Sequence, residues 1–242
     1  MKAALFSMFA LLLSISVFGQ FSANSEEAEQ KLRSVANIKS NTSGKSDFER
    51  RYANVQGNPY LFDDWQVGNA KLVGSDTFEV TLLMNIDLVS HLLILQLEDG
   101  SIGFISPFNI HELTVREKLY HIRNIVVLPE SVVEGNNNGQ KYFYELMHDG
   151  RFNLLKRTSK RINRPIATPY EVSDGKTEVI TTETYWLSEA EKPYQRITLR
   201  RKSIEKALPS YGIEIRQIAK KNNLYFYELK DLITLLEFLE KF

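Results

Sequence analysis

The chain contains no cysteine. That single absence excludes disulfides, thiolate metal centres and thiol nucleophiles, and it removes the residue on which a lipoprotein anchor is built. Stability must then come from buried apolar surface, for which 242 residues are ample. Histidine is scarce as well. The four present, His91, His111, His121 and His148, form no i, i+3 or i, i+4 pair and no HExxH. Neither a metal site nor a cofactor is expected from that spacing. Nucleophile motifs are missing too: there is no GxSxG elbow, and Ser43-Gly44-Lys45-Ser46 and Asp174-Gly175-Lys176-Thr177 both lack the leading glycine of a phosphate loop. SxxK occurs at Ser173 to Lys176 and at Ser203 to Lys206, without the companion motifs that give it catalytic meaning. The carboxylate pairs Glu26-Glu27 and Asp63-Asp64 are sequence neighbours, and on a strand neighbours point to opposite faces. The chain is therefore read as a non-enzyme. Charge of one sign is also lacking overall, with 30 basic and 30 acidic residues, so nothing favours nucleic acid as a partner.

Only one long apolar run is present. Ala3 to Phe18, preceded by Lys2 and followed by Gly19, has the layout of a secretory signal over residues 1–19, and it is shorter than the ~20 apolar residues a membrane span requires. Cleavage after Gly19 would leave Gln20 first and no transmembrane segment. The expected location is the periplasm or the extracellular space. Residues 20–54 are polar and read as an arm or linker with a short amphipathic helix over Glu26–Ile38, carried by Ala28, Leu32, Val35 and Ile38.

From residue 55 to residue 200 the texture is that of strands. Short β-branched and aromatic runs alternate with turn signals, Asp99-Gly100 and Asp149-Gly150 being the clearest because glycine accepts the positive φ of a tight hairpin. The spacing predicts an antiparallel meander of roughly eight to ten strands, either an open sheet or barrel-like. No βαβ rhythm interrupts it. Residues 201–242 predict about three short helices: Ser203–Leu208, Ser210–Lys221 and Glu228–Phe242. In the last, Leu229, Leu232, Ile233, Leu236 and Leu239 form one apolar stripe while Leu235, Phe238 and Phe242 lie off it, the pattern of a helix buried on two faces. The fold class is thus α+β, mainly β. The pentapeptide YFYEL occurs twice, at 142–146 and 225–229, and is expected to be a strand first and the approach to a helix second.

Two stretches carry candidate function. The segment QGNPYLFDDWQVG, residues 56–68, sits where the arm meets the sheet. Pro59 and Gly57 favour an irregular entry, and Tyr60, Phe62 and Trp65 read as a structural clasp folding back on the first strand. Residues 151–170 contain Arg151, Lys156, Arg157, Lys160, Arg161 and Arg164 without an acid. They read as a basic loop after a strand, and as candidate contacts to an anionic surface.

The stretches GNPYLFDDWQVGNAKLVG, YFYELMHDGRFNLLKR and TETYWLS, followed by the tail from Lys202 to Phe242, together resemble a family of uncharacterised secreted β-rich proteins of Bacteroidetes. The resemblance runs from about Gly57 to the end of the chain and implies layout and export, with no activity attached. The function expected is a non-catalytic binding or envelope-interaction module whose partner is an envelope protein or an anionic surface. The alternative is a barrel-like carrier of a small apolar ligand, and a hydrolase comes third. Export makes one measurable expectation: the protein recovered from its compartment should have the intact mass of residues 20–242, with Gln20 at its N-terminus. A mass that includes Met1–Gly19 would contradict the signal reading.

Overall fold

A computed structural model describes residues 26–39, 50–73, 77–97, 99–116, 122–134, 139–164 and 176–241. The signal segment lies outside these residues. The described chain is mainly β: eleven strands join in one antiparallel sheet that does not close on itself. With the strands β1 (Asn37–Lys39), β2 (Gln66–Val73), β3 (Thr77–Asp87), β4 (Leu92–Gln96), β5 (Ile102–Ile105), β6 (Ile110–Arg116), β7 (Ile122–Pro129), β8 (Lys141–His148), β9 (Phe152–Asn163), β10 (Glu178–Glu189) and β11 (Gln195–Ile197), the order in the sheet is β1-β5-β4-β3-β2-β6-β7-β8-β9-β10-β11.

The first half is shaped by a short connection. Strands β2 (Gln66–Val73), β3 (Thr77–Asp87), β4 (Leu92–Gln96) and β5 (Ile102–Ile105) form a meander, and β6 (Ile110–Arg116) then pairs with β2 rather than with β5. Through the ladders, Ile105 stands level with Ile86 of β3, and Ile110 level with Phe78. In a flat sheet these two points would lie about 30 Å apart, from strand spacings of ~4.8 Å across and rises of ~3.3 Å along. The five Cα steps from Ile105 to Ile110 reach at most about 18 Å. The sheet must therefore fold over, with long β3 as the bend and β4–β5 laid across β2 and β6. Inside the fold lie Leu72, Val80, Leu82, Met84, Ile86, Leu93, Leu95, Ile105 and Val115, all buried, with residues of β7 (Ile122–Pro129) and β8 (Lys141–His148) extending the layer. Gly68 leaves room for Met84 in this packing, since a Cβ there would stand 2.4 Å from Met84 Sδ and push that side chain aside.

The polar arm is corrected by the structure over its described part. Helix α1 (Glu26–Val35) buries Leu32 in this first core, and β1 (Asn37–Lys39) pairs with the open edge of β5. The predicted helix ends three residues early because Asn37 to Lys39 complete the sheet edge instead.

The second half is the long hairpin of β9 (Phe152–Asn163) and β10 (Glu178–Glu189), followed by short β11 (Gln195–Ile197). Strand β8 joins it through a bulge at Met147. The basic run predicts a loop; it is instead twelve residues of paired strand from Phe152, because all but Arg161 of its side chains are at least partly covered on one face or the other. Its two prolines, at 165 and 169, lie outside the described residues.

Helices α3 (Arg201–Ala207), α4 (Gly212–Lys221) and α5 (Leu229–Leu239) follow close to expectation, the middle one entered through a 3-10 turn at Pro209–Tyr211. They cover Phe152, Leu154, Leu187 and Ile197 of the sheet. Leu232, Leu235, Leu236 and Leu239 are fully buried, each contributing about 1.5–3 kcal/mol by burial, so the apolar tail is core rather than a free face. The YFYEL repeat divides as expected: residues 142–146 lie within β8, whereas 225–228 form an irregular turn with Phe226 at φ 59° and Leu229 opens α5.

The segment from Arg50 to Trp65 ties the bend together. Leu61 N–H donates to Ile86 O and Leu88 N–H to Pro59 O. The Asn85 side chain accepts from Phe62 N–H and donates to Phe62 O, a side-chain substitute for a strand pair. Asp87, with no exposed surface, accepts from Arg51, the Tyr52 hydroxyl and the N–H groups of Val89 and Ser90. Replacing Asp87 with Asn should cost about 3 kcal/mol, the range for breaking a buried charged pair while leaving one partner behind. Urea melts would show this as a lower midpoint at unchanged slope, whereas an unchanged midpoint would remove Asp87 from its central role.

Candidate functional site

The clasp candidates divide between two faces of β4–β5. Phe62 is buried in the inner core, with the Arg123 guanidinium 5.5 Å from its ring. Tyr60 and Trp65 pack on the outer face, against Ile94, Ile102 and Phe104. The Tyr60 hydroxyl is pushed up to about 12, first by burial and then by the charge of Asp87. Asp63 and Asp64 are both exposed, and Asp63 accepts from the Asn58 amide at 2.8 Å.

The six basic candidates are not brought together. Alternation along β9 sends neighbours to opposite faces. Lys156 pairs with Glu145 at 3.4 Å and Glu183 at 3.0 Å. Lys160 donates to the carbonyls of Asn58 and Tyr60, and burial lowers the pKa of its ammonium. Arg157 pairs with Glu134 at 2.9 Å and lies 3.5 Å over the Tyr142 ring. Arg151 stacks over Tyr211 and Phe152 and approaches Glu189. Only Arg161 and Arg164 are left, both exposed near the end of the strand. A contiguous anion-binding loop is thus replaced by a strand whose cations are mostly engaged within the fold.

The histidines stay apart. His148 Nδ1 lies 2.7 Å from Phe152 O, His111 is exposed beside Glu112, and His91 meets the Tyr142 ring edge-on at 5.1 Å; His121 lies outside the described residues. Among the described residues no group of three or more His, Asp or Glu is placed to hold a metal ion.

A concavity does form on the outer face of the second half. Helix α2 (Glu130–Val133) follows β7 directly and stands opposite the turn between β10 and β11. The cleft between them measures about 430 Å³ and is lined by Ser131, Val132, Val133, Glu134, Trp186, Pro193, Tyr194 and Arg196. Trp186 forms its floor, only 2% exposed, held edge-on against Tyr144 at 5.5 Å. Burial raises the Tyr194 hydroxyl, aided by the charge of Asp149, and carries that of Tyr144 up to about 12. Both stay neutral at pH 7. Register places Arg196 directly opposite Trp186, on the same face of the sheet. Among the described residues no acid pairs with Arg196, while Glu134 across the cleft is held by Arg157.

The sequence reading missed this cleft. Trp186 and Arg196 were visible in strand-like runs, but α2 is one turn long and too short to show periodicity. Its signal was Pro129-Glu130, a rigid residue followed by an acid in the first turn. The cleft carries aromatic faces, aliphatic walls and one open cation, the kit of a binding site. No nucleophile–base pair lines it.

No protein-family model matches the chain, and neither a curated protein nor a solved structure matches it.

The wall of the cleft is linked to the β3–β4 turn through His91, Tyr142, Arg157 and Glu134. Burial, then the charge of Arg157, lowers the pKa of His91. Below pH ~6.5 the unfolded state accepts a proton that the folded state resists, so folding stability falls as pH drops through that value. His91→Asn, tolerated at φ 55°, should lose less stability than wild type between pH 8 and pH 5 in denaturant melts. Identical losses would show that His91 contributes nothing to the acid limb.

Proposed function

We propose that this is an exported, non-catalytic binding module whose recognition site is the cleft between α2 and the β10–β11 turn. The observation that carries the reading is the contrast between two concave regions of the described fold. Inside the folded-over sheet, the gap bounded by Leu61, Leu88, Ile125, Phe143, Glu145, Lys156 and Thr158 measures about 10 Å³, room for no more than a water. The outer cleft, at about 430 Å³, falls within the ~300–1,000 Å³ of small-molecule sites. A carrier would hold its ligand inside the curl, and that space is filled by side chains. The outer cleft supports recognition at the surface, in keeping with the resemblance to secreted β-rich proteins and with the expected export. Anionic surfaces are less well supported as partners, because four of the six cations expected to meet them are engaged internally.

The two tryptophans give an internal control. In a nitrogen-15 correlation spectrum, the low-molecular-weight fraction of an envelope extract should move the indole signal of Trp186 and leave that of Trp65 in place. Val132→Trp fills the cleft from an exposed position and should abolish the shift at unchanged melting temperature. A shift that survives the filling substitution, or one confined to Trp65, would place recognition elsewhere.

A further inference from the structure

We infer that the ligand of this cleft is a small carboxylic acid with an apolar body, its carboxylate held by Arg196; the inference rests on the cleft being the binding site. The charge lining the cleft comes from two side chains, Glu134 and Arg196. Glu134 is already neutralised at 2.9 Å by Arg157, which is itself fixed over Tyr142. Arg196 has no such partner among the described residues, and the β10–β11 register holds it next to Trp186. The open charge of the cleft is therefore positive. A guanidinium presents a planar fork of donors that matches the two oxygens of a carboxylate.

The rest of the lining selects the body of the ligand. Val132, Val133, Trp186, Pro193 and Tyr194 offer aliphatic and aromatic surface, and Val132 is 53% exposed with nothing in the described fold to cover it. An inorganic anion would be stripped of water against these groups without return. An acid with an aliphatic or aromatic body covers them while its carboxylate stays at the Arg196 rim. A cationic ligand would meet only an acid that is already paired. Glu130, at the start of α2, is buried with one carboxylate oxygen lacking a hydrogen-bond partner among the described residues, but it does not line the cleft.

Three probes of one shape decide the matter: 4-phenylbutanoate, 4-phenylbutan-1-ol and 4-phenylbutylamine, titrated at pH 7 against the protein while the two indole signals are followed. The acid should shift Trp186 alone, with a Kd at least tenfold below that of the alcohol. Arg196→Gln should weaken the acid to the level of the alcohol and leave the alcohol unchanged, and Arg196→Lys should recover part of the loss. Spectra with undisturbed dispersion establish that each variant is folded. Equal affinity for acid and alcohol, unchanged acid binding by Arg196→Gln, or tightest binding by the amine overturns the carboxylate assignment and leaves the cleft as a site. Silence of Trp186 towards all three overturns the cleft reading itself.

Discussion

Asp87 is a carboxylate with no exposed surface, and the first half of the molecule is organised around it. A buried charge is tolerable only when its oxygens are saturated with donors. Here those donors arrive from the entering segment, as Arg51 and Tyr52, and from the turn into β4, as Val89 and Ser90. One group thus fixes the turn, anchors the segment that covers the outer face of β4–β5, and stands at the end of the strand around which the sheet bends. Burial and this carboxylate together push the Tyr52 hydroxyl upward, so it stays a neutral donor at neutral pH. Arg51 also lies 4.8 Å over the Phe104 ring, which joins the polar node to the apolar patch beside it.

The bend and the long hairpin solve the same problem differently. An eleven-stranded sheet has too much apolar surface for one layer of cover. The first half covers itself by folding over. The second half borrows three helices on one face and, on the other, the single turn of α2 with Tyr194. The cleft exists because that second cover is incomplete: α2 spans four residues, and the β10–β11 turn closes only part of the remaining distance.

Strand and helix periodicity made the class of fold legible, from the hairpin at Asp149-Gly150 to the two-faced burial of Leu232 and Leu235. What it could not carry was any property set by pairing at a distance. The bend follows from β6 choosing β2 over β5, and no local pattern around Ile110 encodes that choice. The basic run looked like a loop because Lys156, Arg157, Lys160 and Arg161 resemble solvated charge. The partners of Lys156, Arg157 and Lys160, namely Glu145, Glu134 and the carbonyls of Asn58 and Tyr60, come from other parts of the chain. The arm was misjudged for a related reason, since Leu32 is an ordinary amphipathic leucine until an open sheet end needs a plug. The cleft was illegible because its residues, from Ser131 to Arg196, converge only once β8, β9 and β10 lie between them.

The inner face of the sheet carries both apolar cores, and between them runs a row of charge: Arg123, Glu145, Lys156 and Glu183, linked at 3.0 to 3.4 Å. Such a row is poor glue for apolar groups on either side, because neither core can spread across it. It divides the molecule into two compartments that share strands but not oil. Each lobe packs its buried side chains within itself, on its own side of the charged row. Strands β8 and β9, paired across the bulge at Met147, belong to both lobes. A single continuous sheet, by this arrangement, carries two apolar cores that are joined through its strands rather than through each other.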